Sequence, residues 1–237
     1  MESLIGVIQA VCVGKSEPFI CPGTYSAISK SSVRNEIAVY YEGLEGDEQA
    51  DVHVHGGLDK AIHIYPFEHY TEWKDELRGP TTRFMSHGLF GENLSTLGLT
   101  EKNICLGDVL SIGNVKLEVT QTRQPCWKVN EKFRIPGLAN LMQKTMRTGF
   151  YCRVLQPGLL ASGHSIELTQ RPYPNWPLER LLKLLYINPL DQQELEEVLT
   201  IRLVPRWKKL FEQRLSTQTI EDWTRRLSGQ VPYERTL

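Results

Sequence analysis

Up to about Arg171 the apolar positions fall in short runs cut by glycine, and beyond that point they recur at the three-to-four-residue spacing of helices. The runs "LIGVIQAVCV", "EIAVYY", "AIHIY", "DVLSIG", "VKLEVTQ", "YCRVLQ" and "HSIELTQ" read as strands. In "VKLEVTQ" the apolar Val115, Leu117 and Val119 alternate with Lys116, Glu118 and Thr120, so one face meets a core and the other meets solvent. Two helices interrupt the strands. "PFEHYTEWKDEL" begins at Pro66 and sets Phe67, Tyr70, Trp73 and Leu77 near helical spacing, and "PGLANLMQKTM" does the same from Pro136. Both are expected to cover the open ends of a sheet or barrel.

After "TQRPYPNWP", where prolines forbid a continuing strand, the period becomes helical. Leu178, Leu181, Leu182 and Leu185 form one stripe, Leu195, Val198 and Leu199 a second, Trp207, Leu210, Phe211 and Leu215 a third, and Ile220, Trp223 and Leu227 a fourth. These stripes are expected to pack on one another. The pattern predicts an α+β, mostly β chain: a β domain over residues 1–171 and a small helical domain over residues 172–237.

Composition narrows the function. A formal net charge of -1 gives no general field to attract a nucleic acid polymer, so any electropositive site must be local. The five cysteines are odd in number and form no C-x-x-C pair, which argues against a disulfide framework and a cysteine-rich zinc site and implies a reducing compartment. The N-terminus does not read as a signal peptide and no run has the length to span a bilayer, so a cytoplasmic protein without a membrane partner is expected.

The chemistry concentrates around "TRQPCWKVN", where Cys126 follows a proline and stands between Arg123 and Lys128. Cationic neighbours favour the thiolate, the form that attacks electrophiles or binds metals. Cys12, Cys105 and Cys152 lie within apolar strand runs and read as inert core residues. Upstream, "GLEGDEQADVHVHGGLDKAIHIY" gathers Asp47, His53, His55, Asp59, Lys60 and His63. If "VHVHGG" is extended, His53 and His55 share a face roughly 6.6 Å apart. Zinc ligation and histidines bonded to turn carbonyls are both open for this cluster. An anion suits it better: Gly56 and Gly57 expose backbone N–H groups, and Lys60 brings positive charge. Neither a Rossmann G-x-G-x-x-G nor a P-loop occurs, so the chain carries no evident nicotinamide site of its own.

Four blocks, "GLEGDEQADVHVHGGLDKAIHIYPFEHY", "FGENLSTLGLTE", "LGDVLSIG" and "TRQPCWK", resemble in that order the MOSC domain family, named for the C-terminal domain of molybdenum cofactor sulfurase, and within it the YiiM type. The C-terminal helices look like the three-helix extension of that type. The resemblance implies a MOSC-type β-barrel with covering helices, binding molybdenum cofactor (molybdopterin) and independent of pyridoxal phosphate. It implies Cys126 as the molybdenum ligand and catalytic residue, with Asp47 or a histidine as proton source. His53, His55, Gly56, Lys60, His63, Asn93, Arg123 and Lys128 are the candidates to hold the cofactor. The implied activity is reduction of N-hydroxylated compounds, such as N-hydroxylated purine base analogues, by oxygen atom transfer, with a flavoprotein reductase as electron donor. A persulfide carrier and a cofactor-binding and delivery protein are the alternatives. The oligomeric state is left open, a homodimer being compatible with the sequence.

Overall fold

The computed structural model describes residues 3–20, 23–50, 56–77 and 86–229. Contacts group the chain into two compact units, Met1–Thr122 with Gly149–Leu178, and Arg123–Thr148 with Glu179–Leu237. This grouping differs from the expected division at residue 171 in two respects: the segment that carries Cys126 groups with the C-terminal helices, and the first unit runs on to Leu178.

The first unit is a closed seven-stranded barrel. Its strands are β1 (Ser3–Val13), β2 (Ile62–Pro66), β3 (Leu94–Leu97), β4 (Val109–Ile112), β5 (Val115–Thr122), β6 (Phe150–Gln156) and β7 (Ser165–Gln170). Around the barrel the order is β7-β4-β5-β6-β2-β3-β1, and β1 pairs with β7 to close it, which leaves these strands no open edge. Every neighbouring pair is antiparallel except β2 with β3. A side sheet joins Ile37–Tyr40 to Gly43–Leu44 and Gly158–Leu160.

In β5 the expected alternation holds from Val115 to Val119 and then stops, because Thr120, Gln121 and Thr122 are all buried. A register shift between Val119 and Gln121 accompanies the change. Two of these polar side chains are covered by the 3-10 turn Leu58–Lys60: Thr120 Oγ1 donates to the Asp59 carbonyl at 2.6 Å and Gln121 Nε2 to the same oxygen at 3.4 Å.

Strand β2 is buried along its whole length. Helix α1 (Glu68–Glu76) follows and buries His69, Tyr70 and Trp73. The expected start at Pro66 is corrected, since Pro66 pairs with Thr96 in the barrel and the Phe67 N–H bonds the Thr96 carbonyl at 2.7 Å. Tyr65 stacks on Phe90 with centroids 4.5 Å apart and accepts a hydrogen bond from Trp73 Nε1 at 2.7 Å.

The second unit contains α2 (Trp127–Phe133), α3 (Leu138–Thr145), the helix α4 (Leu178–Tyr186) from Glu179 onward, α5 (Gln192–Val198), α6 (Pro205–Thr217) and α7 (Thr224–Ser228). Its core includes Leu181, Leu182, Leu185, Leu195, Val198, Trp207 and Phe211, as the helical stripes predict. Arg214, one position before the expected Leu215, is the side chain that is fully buried, at 1% exposed. Its guanidinium donates to the Leu184 and Leu185 carbonyls near the end of α4, at 3.2 and 3.1 Å, and pairs with Glu221 at 2.7 Å. An ionised donor thus satisfies carbonyls the helix end leaves unpaired. Among the described residues no helix is long and apolar enough to cross a membrane.

Candidate functional site

In the barrel unit, Asp47 is the hub of a buried polar network. Its carboxylate accepts from the Gly14 N–H at 2.8 Å, from Asn93 Nδ2 at 2.8 Å, and on both oxygens from Lys30 Nζ. The side chains of Lys30 and Asp47 are each only 6% exposed. Burial pushes the Lys30 pKa down while Asp47 opposes the shift.

Asn93 carries the network to β2. Its Oδ1 accepts from the His63 N–H at 3.0 Å, its own N–H donates to the His63 carbonyl at 2.8 Å, and its carbonyl accepts from the Cys12 N–H at 2.7 Å. Neighbouring Glu92 accepts from the Gly88 and Phe90 N–H groups at 2.7 and 3.1 Å and from the Tyr70 hydroxyl. Burial drives the Cys12 thiol up to about 12 and raises Cys152 as well, which fits the inert roles expected of both.

His63 is 4% exposed, and its ring lies 4.9 Å from that of Tyr151 between centroids. Lys60 Nζ stands 5.8 Å from the centroid of the same tyrosine, so Tyr151 is a floor shared by both candidates. The turn that presents Lys60 begins at Gly57, whose φ of 93° lies in the left-handed region that glycine tolerates. It is anchored by Asp59, which pairs with Arg153, and Arg153 in turn reaches Glu118 at 3.0 Å. Gly56 leads into this turn. His53 and His55 lie outside the described residues.

A second glycine matters at Gly149, with φ 73°. A Cβ built there would come 2.6 Å from the Ile64 carbonyl oxygen and 2.9 Å from His63 Nε2, so only glycine lets the backbone lie against the imidazole. Glu101 holds this residue, accepting from the Gly149 N–H at 2.7 Å, while its other oxygen lies 2.7 Å from His69 Nε2. Burial works to raise the Glu101 pKa, but His69 and the Gly149 N–H hold it below the usual carboxylate value.

In the second unit Cys126 is a half-buried free thiol in extended backbone, φ −129° and ψ 166°, immediately before α2. Its carbonyl accepts from the Val129 N–H at 3.1 Å. The segment before it is held from the C-terminal helices. Arg226 Nη1 donates to the Pro125 carbonyl at 2.6 Å. The Arg226 guanidinium lies over the rings of Tyr186 and Trp223, 5.9 and 5.8 Å from their centroids, and its Nη2 is buried without a hydrogen bond. Burial lowers its pKa, with Tyr186 and Cys126 acting the other way. Arg123 is buried and Lys128 half-buried in the same unit. Asn130 ties three helices together, donating to the Leu227 carbonyl at 3.0 Å and accepting from the Ala139 N–H at 2.7 Å.

The structure thus brings Asp47, Asn93 and the β2 backbone at His63 into one network, and sets His63 and Lys60 around one tyrosine. It also adds residues absent from the sequence expectations. Lys30, Arg153 and Tyr151 join the barrel cluster, and Arg226 joins the thiol segment. Among the described residues no three His, Cys, Asp or Glu side chains gather in a way that could hold a metal ion.

A closed barrel of this topology followed by a helical module, with a free cysteine after strand β5, defines a class. The chain belongs to the MOSC domain family in its YiiM-like form: residues 51–167 match the MOSC domain, and residues 176–218 match the YiiM-like, 3-alpha helix domain. It is 37% identical over 225 residues to Protein YiiM of Escherichia coli (strain K12), covering 94% of this chain and 96% of that one. The crystal structure of YiiM from Escherichia coli superposes with a TM-score of 0.78 at 31% identity, over 94% of this chain and 98% of that chain. A protein of Gibberella moniliformis (strain M3125 / FGSC 7600) named "Reductase" is 31% identical over 89% of this chain, which spans 37% of that longer protein.

Proposed function

We propose that the protein is a molybdenum cofactor-dependent oxidoreductase that reduces N-hydroxylated compounds, N-hydroxylated purine base analogues among them. The observation that carries this is Cys126: a free, half-buried thiol outside the strands, in a segment gripped by a guanidinium. Family membership and the fungal relative named as a reductase support the coarser statement, a molybdenum-related redox role.

The donors fit such a group. A soft thiolate suits a metal held mainly by sulfur, and the buried, unbonded Nη2 of Arg226 is a donor suited to an anionic oxygen. When bound, the cofactor supplies the two-electron centre that takes the oxygen of an N–OH group. Cys126 would hold the metal. Within the barrel unit, Lys60 as a cation and the turn at Gly56 and Gly57 as N–H donors are chemically suited to a phosphate. Arg123 and Lys128 would add charge near the thiol, while Asn93 would keep β2 in register.

Reduction of an N–OH group to an amine and water consumes two electrons and two protons, so a proton donor is required. Of the two expected from the sequence, the contacts favour a histidine. Both Asp47 oxygens face Lys30, and the carboxylate also serves Gly14 and Asn93, which suits a structural anion better than a proton donor. His63, seated between Tyr151 and Gly149, is the candidate.

Electrons would come from a flavoprotein reductase. The test is turnover of an N-hydroxylated purine by purified protein with a flavoprotein reductase and NADH, for wild type and Cys126→Ser. Turnover that needs both the reductase and Cys126 is expected. Undiminished reduction by Cys126→Ser would refute the assignment, and cysteine-dependent activity indifferent to molybdenum would favour the persulfide carrier.

A further inference from the structure

A side chain of α7, the last helix among the described residues, reaches the segment that carries the thiol. Arg226 of α7 donates to the carbonyl of Pro125, the residue before Cys126, across 101 positions of sequence. The guanidinium is braced by the Tyr186 and Trp223 rings, which fixes its position.

One feature of Arg226 exceeds what packing needs. Its Nη2 is buried and bonded to nothing, an arrangement that costs stability unless an acceptor arrives. Glu221, a carboxylate that acts electrostatically on Arg226, is already committed: it pairs with Arg214 at 2.7 and 3.0 Å and accepts from Trp223 Nε1 at 2.7 Å. Arg206 of α6 adds a like charge that disfavours the Arg226 cation. A buried guanidinium with an unused donor is a setting for an anion.

We propose that Arg226 is a positioning residue for Cys126: one guanidinium nitrogen fixes the Pro125 carbonyl, and the other donates to an anionic oxygen of the group bound through that thiol. This rests on Cys126 as the molybdenum ligand. It makes the C-terminal module part of the cofactor site, whereas the period change alone suggests a separable appendage.

The experiment uses the full chain, made in a host that synthesises the cofactor, as wild type, Arg226→Gln and Arg226→Lys. Molybdenum per chain, the metal–sulfur absorption and amide exchange over residues 126–130 are measured. Loss of a charge-assisted bond predicts exchange at Val129 about tenfold faster in Arg226→Gln, and molybdenum content reduced about fivefold or more. The metal–sulfur band of the residual loaded protein is expected to shift, which a packing role would not cause. Molybdenum present in wild type and undiminished in Arg226→Gln overturns the inference alone, whatever the exchange rates. Molybdenum missing from wild type refutes the proposed function. Should Arg226→Gln fail to fold, Arg226→Lys, which keeps the charge and removes the second donor, is expected to lower molybdenum content about threefold, and unchanged content overturns the inference equally.

Discussion

Replacing Asp47 by asparagine separates a structural anion from a proton donor. The substitution keeps the shape and one acceptor oxygen but leaves Lys30 without its counter-charge, in a place where both side chains are only 6% exposed. Breaking a buried, hydrogen-bonded ion pair by removing one partner costs about 3–5 kcal/mol. Part of that is relieved if Lys30 gives up its proton, which is eased because burial already lowers its pKa. The lower end, about 3 kcal/mol, is the expectation, and at roughly 2–4 °C per kcal/mol it lowers Tm by about 6–12 °C. The assay is thermal and chemical unfolding at pH 7 for Asp47→Asn, Lys30→Met and the double variant. The cycle should show strong coupling, with the double variant less destabilised than the sum of the singles. An unchanged Tm in Asp47→Asn, together with lost turnover, would refute the structural role and assign Asp47 as the proton donor.

Gly149→Ala, at φ 73° with its Cβ driven toward the Ile64 carbonyl and His63, should cost about 1–3 kcal/mol and perturb the His63 resonances in NMR spectra. Stability at low pH should depend on Glu101, whose folded pKa lies below its unfolded value. The contribution is complete above the unfolded carboxylate pKa and is lost as pH falls through the folded one, so wild type should lose stability faster than Glu101→Gln below about pH 4.5. Equal pH slopes for the two proteins would contradict this. Cys126→Ser should leave Tm within about 2 °C of wild type, because the thiol is half-buried and outside the strands.

The barrel was legible because alternation such as Val115, Leu117, Val119 follows directly from one buried face per strand. It failed at Thr120 to Thr122, where a turn 61 residues away in sequence covers the polar face. Helix α2 was not foreseen, since its seven residues follow a proline and carry no repeated apolar stripe. Lys60 and His63 stood out in a glycine-rich stretch, and Cys126 as a thiol between Arg123 and Lys128, both local signals. Lys30, Arg153 and Arg226 did not, because their partners lie 17, 94 and 101 positions away and only the fold joins them. Contacts such as Arg226 with Pro125 and Asn130 with Leu227 are why residues 123–148 group with the C-terminal helices although the period changes much later.

The most direct test of the central claim is the metal content of wild-type protein purified from a host that makes molybdenum cofactor, read alongside Cys126→Ser from the same host. The account predicts molybdenum near one per chain in wild type and a clear loss, or a changed metal–sulfur absorption, in the variant. Wild-type protein that reduces an N-hydroxylated base while containing no molybdenum, or that carries zinc in its place, would contradict it.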